Sequence, residues 1–278
     1  MCSSMLIRTG RAAVVLALLA GTPAIAAPPP ATEMTEADRA RWTELLETYF
    51  PGRAAEPAGD MLRLEAPYRA ADAALVPIAI HVAPQQGDPV RRLHLLVDDN
   101  PVPLVFTAEI GERGLPHMLE TRVRVDQYTH VHALAETESG RLLETSAFVK
   151  ASGGCSAPAL KDPEQALARM GRMKLNLPTD IRAGQPVEAQ ALISHPNNSG
   201  LQFDQITRTY IQPHYIERVS IRYNGAPVLD VKTDISMSED PSLHFRFVPD
   251  AEGMLEVEAV DSKGATFRQS WPVGAPPA

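Results

Sequence analysis

From about residue 61 onward, apolar and polar positions alternate with a period of two in short runs, the pattern of strands that bury one face. In the first half the runs are Met61 to Leu64, Leu75 to Val82, Arg91 to Asp98, Val102 to Ile110, Glu120 to Val125, Val131 to Glu136 and Leu142 to Lys150. Turn-forming clusters separate them at Gln86 to Pro89, Asp99 to Pro101, Gly111 to Pro116 and Glu138 to Gly140. The second half repeats this grammar in Met173 to Leu177, Pro186 to Ser194, Val219 to Tyr223, Ala226 to Asp234, Leu243 to Val248, Gly253 to Asp261 and Ala265 to Val273, with Asn224-Gly225 as a hairpin turn. A long polar excursion lies between Ser194 and Val219. Its apolar residues Tyr210, Ile211, Tyr215 and Ile216 are expected to seal the contact between the halves.

Two stretches have helical spacing instead. Thr35 and Asp38 form a capping box ahead of Trp42, Leu45, Leu46, Tyr49 and Phe50, which predicts an amphipathic helix over 36 to about 49, ended by Pro51-Gly52. Asp162 and Pro163 open a short linker helix reaching about Arg169. The expected fold class is all-β: two immunoglobulin-like antiparallel β-sandwiches with separate cores, plus the N-terminal and linker helices.

The N-terminus changes the compartment. Residues 1–26 carry Arg8 and Arg11, an apolar run from Ala12 to Ala20, and Ala24-Ile25-Ala26 before a cleavage point, the three parts of a secretory signal. The expected organisation is therefore a signal peptide (1–26), a first sandwich with its helix (27–150), a cysteine-bearing arm with linker helix (151–170) and a second sandwich (171–278). Removing the leader takes away two of the 26 basic residues and none of the 34 acidic ones, for a net charge of −10 with histidines neutral. Nucleic acid is excluded as a partner by that balance, and no apolar run is long enough to span a membrane. The expected location is the periplasm.

Cleavage also removes Cys2, leaving Cys155 as the one thiol, so no internal disulfide can form. Cys155 lies in Ala151 to Pro158 (ASGGCSAP), where Gly153, Gly154 and Ser156 offer little apolar surface for packing. The segment reads as a flexible arm at the seam of the two halves, with Cys155 as a site of covalent attachment. Lys150 and Lys161 flank it as candidates to favour the thiolate.

Two other chemistries compete. A thiol enzyme, such as a peroxidase or transferase, needs a base fixed beside its nucleophile, and no histidine lies between His132 and His195. A metal-handling or structural module would draw on His130-x-His132, which reads as a solvent-facing pair opposite Val131, Ala133 and Ala135. Neither metal nor cofactor is expected.

Several blocks carry a resemblance. APYRAADAALVPI at Ala66 to Ile78, DDNPVPL at Asp98 to Leu104, ETRVRV at Glu120 to Val125 and SGRLLETSAFVKASGGC at Ser139 to Cys155 are similar to SoxY. ISHPNNSGL at Ile193 to Leu201, YIERVSIRYNG at Tyr215 to Gly225, SEDPSLHFRFV at Ser238 to Val248 and VDSKGATF at Val260 to Phe267 are similar to SoxZ. The chain thus resembles the SoxYZ sulfur-carrier pair joined in one polypeptide. The resemblance implies a non-catalytic carrier that holds thiosulfate-derived sulfur on Cys155. It implies periplasmic sulfur-oxidising enzymes or c-type cytochromes as partners and, for fused chains, a quinoprotein dehydrogenase. In the family the arm ends the chain as Gly-Gly-Cys-Gly-Gly. Here Ser156 and Ala157 follow and the chain continues, so a loop anchored at both ends reaches only roughly 16 Å at ~3.3 Å per residue.

Overall fold

In the computed structural model, residues 33–84, 87–158, 163–250 and 252–274 are described. The signal segment, Asp162 and Lys161 lie outside them.

The first half begins with helix α1 (Glu36–Tyr49) and continues through strands β1 (Ala55–Pro57), β2 (Leu62–Glu65), β3 (Val76–Val82), β4 (Val90–Val97), β5 (Leu104–Ile110), β6 (Gly114–Val123), β7 (Thr129–Thr137) and β8 (Leu142–Val149). Helix α2 (Pro163–Arg169) leads into β9 (Met173–Asn176), β10 (Val187–Ile193), β11 (Phe203–Asp204), β12 (Thr209–Tyr210), β13 (Ile216–Tyr223), β14 (Ala226–Thr233), β15 (Ser242–Phe247), β16 (Gly253–Asp261) and β17 (Thr266–Val273). The class is all-β, as the alternation predicts. Three strands escaped it: β1 and the small β11–β12 hairpin, each two or three residues long and too short to show a period.

Each half is an immunoglobulin-like sandwich, and the two are joined edge to edge. One sheet runs β1-β8-β7-β4-β5-β14-β13-β16-β17 and the other β2-β3-β6-β15-β10-β9. Both cross the boundary, through β5 on β14 (Ile110 opposite Leu229, Phe106 opposite Thr233) and β6 on β15 (Leu119 opposite Phe245). Backbone pairing therefore joins the halves, where long-loop apolar contacts were expected. Tyr210 is exposed, and Ile216 is buried within β13.

The inward residues of both sheets form one cluster, from Val76, Ile78 and Ile80 of β3 to Val187, Ala189 and Ala191 of β10, so the expected separate cores are continuous. From Leu93 to Val97 every residue of β4 is buried, because both faces of the strand are covered there. Leu93, Leu95 and Val97 enter the main core, and Leu96 faces a second cluster under α1 with Trp42, Leu45, Phe50, Leu134 and Leu142. The Thr35 and Asp38 capping box forms as the sequence predicts.

That helix overturns the reading of His130 and His132 as solvent-facing. Both are buried, because α1 covers their sheet face. His132 stacks on Trp42 with ring centroids 3.7 Å apart, and its ring nitrogens meet Glu144 at 2.9 Å and Asp98 at 3.2 Å. Trp42→Ala should remove that stack and open a cavity, costing about 3–5 kcal/mol. Urea unfolding monitored by circular dichroism measures this, and a loss under about 1 kcal/mol would show that α1 does not hold the second cluster together.

Candidate functional site

Strand β8 delivers the chain to Ala151, and the following residues fold back into the seam between the halves. The accessible, loosely tethered thiol expected from Gly153 and Gly154 is not what the structure holds. Cys155 is 0% exposed, and the segment forms a hydrogen-bonded turn, with Ser156 at the surface.

The first half supplies the floor. Gly153 N–H donates to Asp126 O at 2.8 Å and Gly154 N–H to Val125 O at 3.0 Å, while Val125 N–H donates to Ala73 O at 2.8 Å. Cys155 N–H reaches Asp126 Oδ1 at 3.3 Å, and Asp126 N–H is anchored on Asn100 Oδ1 at 2.9 Å. Asn100 in turn donates to Arg124 O and Ser236 Oγ, tying this floor to the second half.

The second half supplies the lid. Ser199 Oγ donates to Cys155 O, and Gln202 Nε2 to Ala157 O at 3.1 Å. Arg124, only 1% exposed, bridges the two sides, with Nη1 donating to Gly154 O at 3.0 Å and Nη2 to Asn197 O at 3.2 Å. Its Nε has no hydrogen-bond partner. A buried guanidinium spent on carbonyl oxygens costs desolvation, which marks this contact as specific.

The glycines serve the docked shape as well as freedom of movement. A Cβ on Gly154 would stand 2.1 Å from Ala73 O and 2.6 Å from Val125 O, so only glycine lets the backbone approach. Gly153 has open space around it but a φ of +77°, where side chains are disfavoured.

Burial pushes the Cys155 thiol up to about 12, with the Asp126 carboxylate adding to the rise and the Arg124 guanidinium opposing it. Burial likewise holds Arg124 below the ordinary guanidinium range. Of the two expected lysines, Lys161 lies outside the described residues and Lys150 is engaged elsewhere. Lys150 sits over the Tyr68 ring at 4.9 Å. The docked thiol is therefore neutral and protected, and chemistry on it requires the turn to leave its cradle.

The cradle residues Asn100, Arg124, Asp126, Asn197, Ser199 and Gln202 were not singled out as site residues by the sequence reading. Alternation puts Arg124 on the face opposite Thr121 and Val123, where it reads as an ordinary surface cation, so no local signal marked it.

Because the docked thiol is neutral and enclosed, iodoacetamide should label Cys155 markedly more slowly than a free cysteine. Ser199→Ala removes one lid hydrogen bond worth about 0.5–1.5 kcal/mol and should speed labelling by roughly 2- to 12-fold. Equal rates in both proteins would refute the lid. Docking favours the neutral thiol, so it is fully supported below the ordinary thiol pKa of about 8.5 and is lost as pH rises towards 12. Amide protection of 151–158 should fall over that window in the native protein, and pH-independent protection would contradict the coupling.

Comparison with known proteins places these halves in two families. The profile of "Sulfur oxidation protein SoxY" matches residues 46–155, ending on Cys155 itself, and that of "Sulphur oxidation protein SoxZ" matches residues 174–272. Among solved structures, the sulfur carrier protein SoxY from Chlorobium limicola f thiosulfatophilum aligns at 16% identity and a TM-score of 0.35, over 41% of this chain and 94% of that one. Superoxide reductase (neelaredoxin) from Ignicoccus hospitalis aligns at 13% identity and a TM-score of 0.29, over 38% of this chain and 90% of that one. No curated protein sequence matches the chain.

Proposed function

The chain belongs to the SoxY and SoxZ sulfur-oxidation families, with both domains in one polypeptide, and from that premise we propose that it is an exported carrier that holds sulfur intermediates covalently on Cys155 and presents them to separate enzymes. The observation that carries this reading is the coincidence of three things at one residue. The SoxY match ends at Cys155, Cys155 is the free cysteine among the described residues, and both halves contribute to the cradle around it.

The cradle defines a two-state cycle. In the docked state the bare thiol is neutral and shielded from oxidants. In the undocked state it ionises and can be loaded. Loading with thiosulfate joins the thiolate sulfur to the terminal sulfur of thiosulfate, giving a thiosulfonate and releasing two electrons. A c-type cytochrome or another oxidising partner takes them. The added sulfonate is charged, and a fully buried site sized for a thiol cannot hold it, so a loaded arm stays out and is available to the next enzyme.

The leader of residues 1–26 supports action in the periplasm, and the fusion of the two domains supports a setting beside a quinoprotein dehydrogenase. The thiol-enzyme alternative fares worse. The charged groups bearing on the docked Cys155 are the Asp126 carboxylate and the Arg124 guanidinium, not the fixed histidine base such an enzyme would need.

Mass spectrometry of the protein isolated from its own cells grown on reduced sulfur should find a thiosulfonate or persulfide on the Cys155 peptide, and none on any other residue. A consistently bare thiol would contradict the carrier role. Turnover of peroxide or thiosulfate by the purified protein, abolished in Cys155→Ser, would replace it with an enzyme.

A further inference from the structure

A second group of side chains lies behind the lid, outside the cysteine cradle. His195 follows β10, His214 precedes β13, and Asp261 ends β16. One nitrogen or oxygen from each lies within 4.8 Å of the others, and all three residues are buried. Backbone pairing fixes their approach, since Asn198 and His214 exchange hydrogen bonds at 2.8 and 3.0 Å and Ile216 stands opposite Asp261.

Hydrogen bonds fix the surroundings of each of these side chains. Asn197 Oδ1 accepts from Ile216 N–H at 3.1 Å, which identifies it as the amide oxygen. His195 Nδ1 lies 2.7 Å from that oxygen, and the Asn197 backbone N–H donates to the same nitrogen at 3.1 Å. A proton on Nδ1 satisfies the first contact and leaves the Nε2 lone pair free to bind a metal, whereas a bare Nδ1 accepts the second and puts the proton on Nε2. The ring nitrogen that faces the cluster is Nε2 in either case. That atom is buried without a hydrogen-bond partner and faces Asp261 Oδ2 at 3.6 Å. His214 Nε2 reaches the same oxygen at 2.8 Å. The carboxylate cannot turn away, because its Oδ1 accepts from Lys263 N–H at 2.9 Å and Ala265 N–H at 2.8 Å.

Two imidazole nitrogens and an anionic oxygen converge in the interior, and one of those nitrogens lacks a hydrogen-bond partner. We propose that His195, His214 and Asp261 form a structural site for a divalent transition metal of the zinc class. Two imidazoles and one carboxylate are a donor set suited to such ions. Bond lengths of about 2.0–2.2 Å in a tetrahedron put ligand atoms roughly 3.3–3.5 Å apart. The 3.6 Å contact already meets that spacing, while the 2.8 Å contact must lengthen as the metal displaces the proton on His214 Nε2. With a metal on His195 Nε2, Asn197 Oδ1 would hold the Nδ1 proton as the outer partner, as second partners do around bound metals. Its carbonyl accepts from Arg124, and Ser199 two residues on bonds Cys155, so the metal would brace the loop that closes the cradle.

The test uses the full-length Cys155→Ser protein, so that the thiol cannot bind metal, stripped with EDTA and titrated with zinc by calorimetry and with cobalt(II) by absorption. The expected result is one ion per chain at micromolar Kd or tighter, with cobalt giving the visible bands of a tetrahedral site. His195→Gln should abolish binding, and Asn197→Ala should weaken it by about 10- to 100-fold. His244→Gln, at the surface trio of His244, Glu120 and Glu188, should leave it unchanged. Failure of the stripped Cys155→Ser protein to bind either ion, or binding lost in His244→Gln and kept in His195→Gln, would overturn the proposal and leave a hydrogen-bonded His-Asp-His triad. That readout is independent of whether sulfur is ever carried on Cys155.

Discussion

Strand pairing across the boundary of the two halves is the constraint from which the site follows. Because β5 bonds to β14 and β6 to β15, the halves share both sheets and one core and cannot rock apart without breaking backbone hydrogen bonds. A seam of fixed geometry results. Arg124 at the end of β6 and the loop after β10 then stand at a set distance, and the cysteine turn fits between them. Two domains joined only by a linker could not hold a lid of Ser199 and Gln202 over a floor of Val125 and Asp126 with such regularity.

The same rigidity explains how Cys155 is kept out of harm. A sulfhydryl left on a free loop is open to oxidation and to capture by any passing disulfide. Enclosed at the seam it stays protonated, and the modest hydrogen bonds that enclose it, one from Ser199 and one from Gln202 on the lid side, are few enough to release. The chain continues past Cys155 into α2 and β9, so the exposed form is a short loop tethered at both ends. Partners with an open mouth suit such a loop better than partners with a deep tunnel.

Much of this was legible in the sequence, for identifiable reasons. The alternation in Val76 to Val82 and Val187 to Ile193 gave away strands with one buried face, and Asn224-Gly225 takes positive φ at both positions as its hairpin requires. Cys155 stood out because it follows two glycines at the seam of the halves, but the exposed arm those glycines suggested is a buried turn. What the sequence hid depends on long-range placement. Glycine at 154 looks the same whether it supplies freedom or close approach, and only the position of Ala73 O decides. His132 appeared solvent-facing because nothing local shows that α1 lies across β7. His195, His214 and Asp261 are far apart in the chain, so no spacing rule joins them.

The account centres on a thiol that is docked when bare and released when loaded, and hydrogen–deuterium exchange of the 151–158 peptide tests that most directly. The amides of Gly153, Gly154 and Cys155 all have acceptors in the docked turn. The bare protein should protect them, and the same protein carrying a thiosulfonate on Cys155 should exchange them rapidly while the strands of the seam stay protected. Equal protection in both forms would mean that the arm does not leave its cradle on loading, and the carrier cycle described here would be wrong.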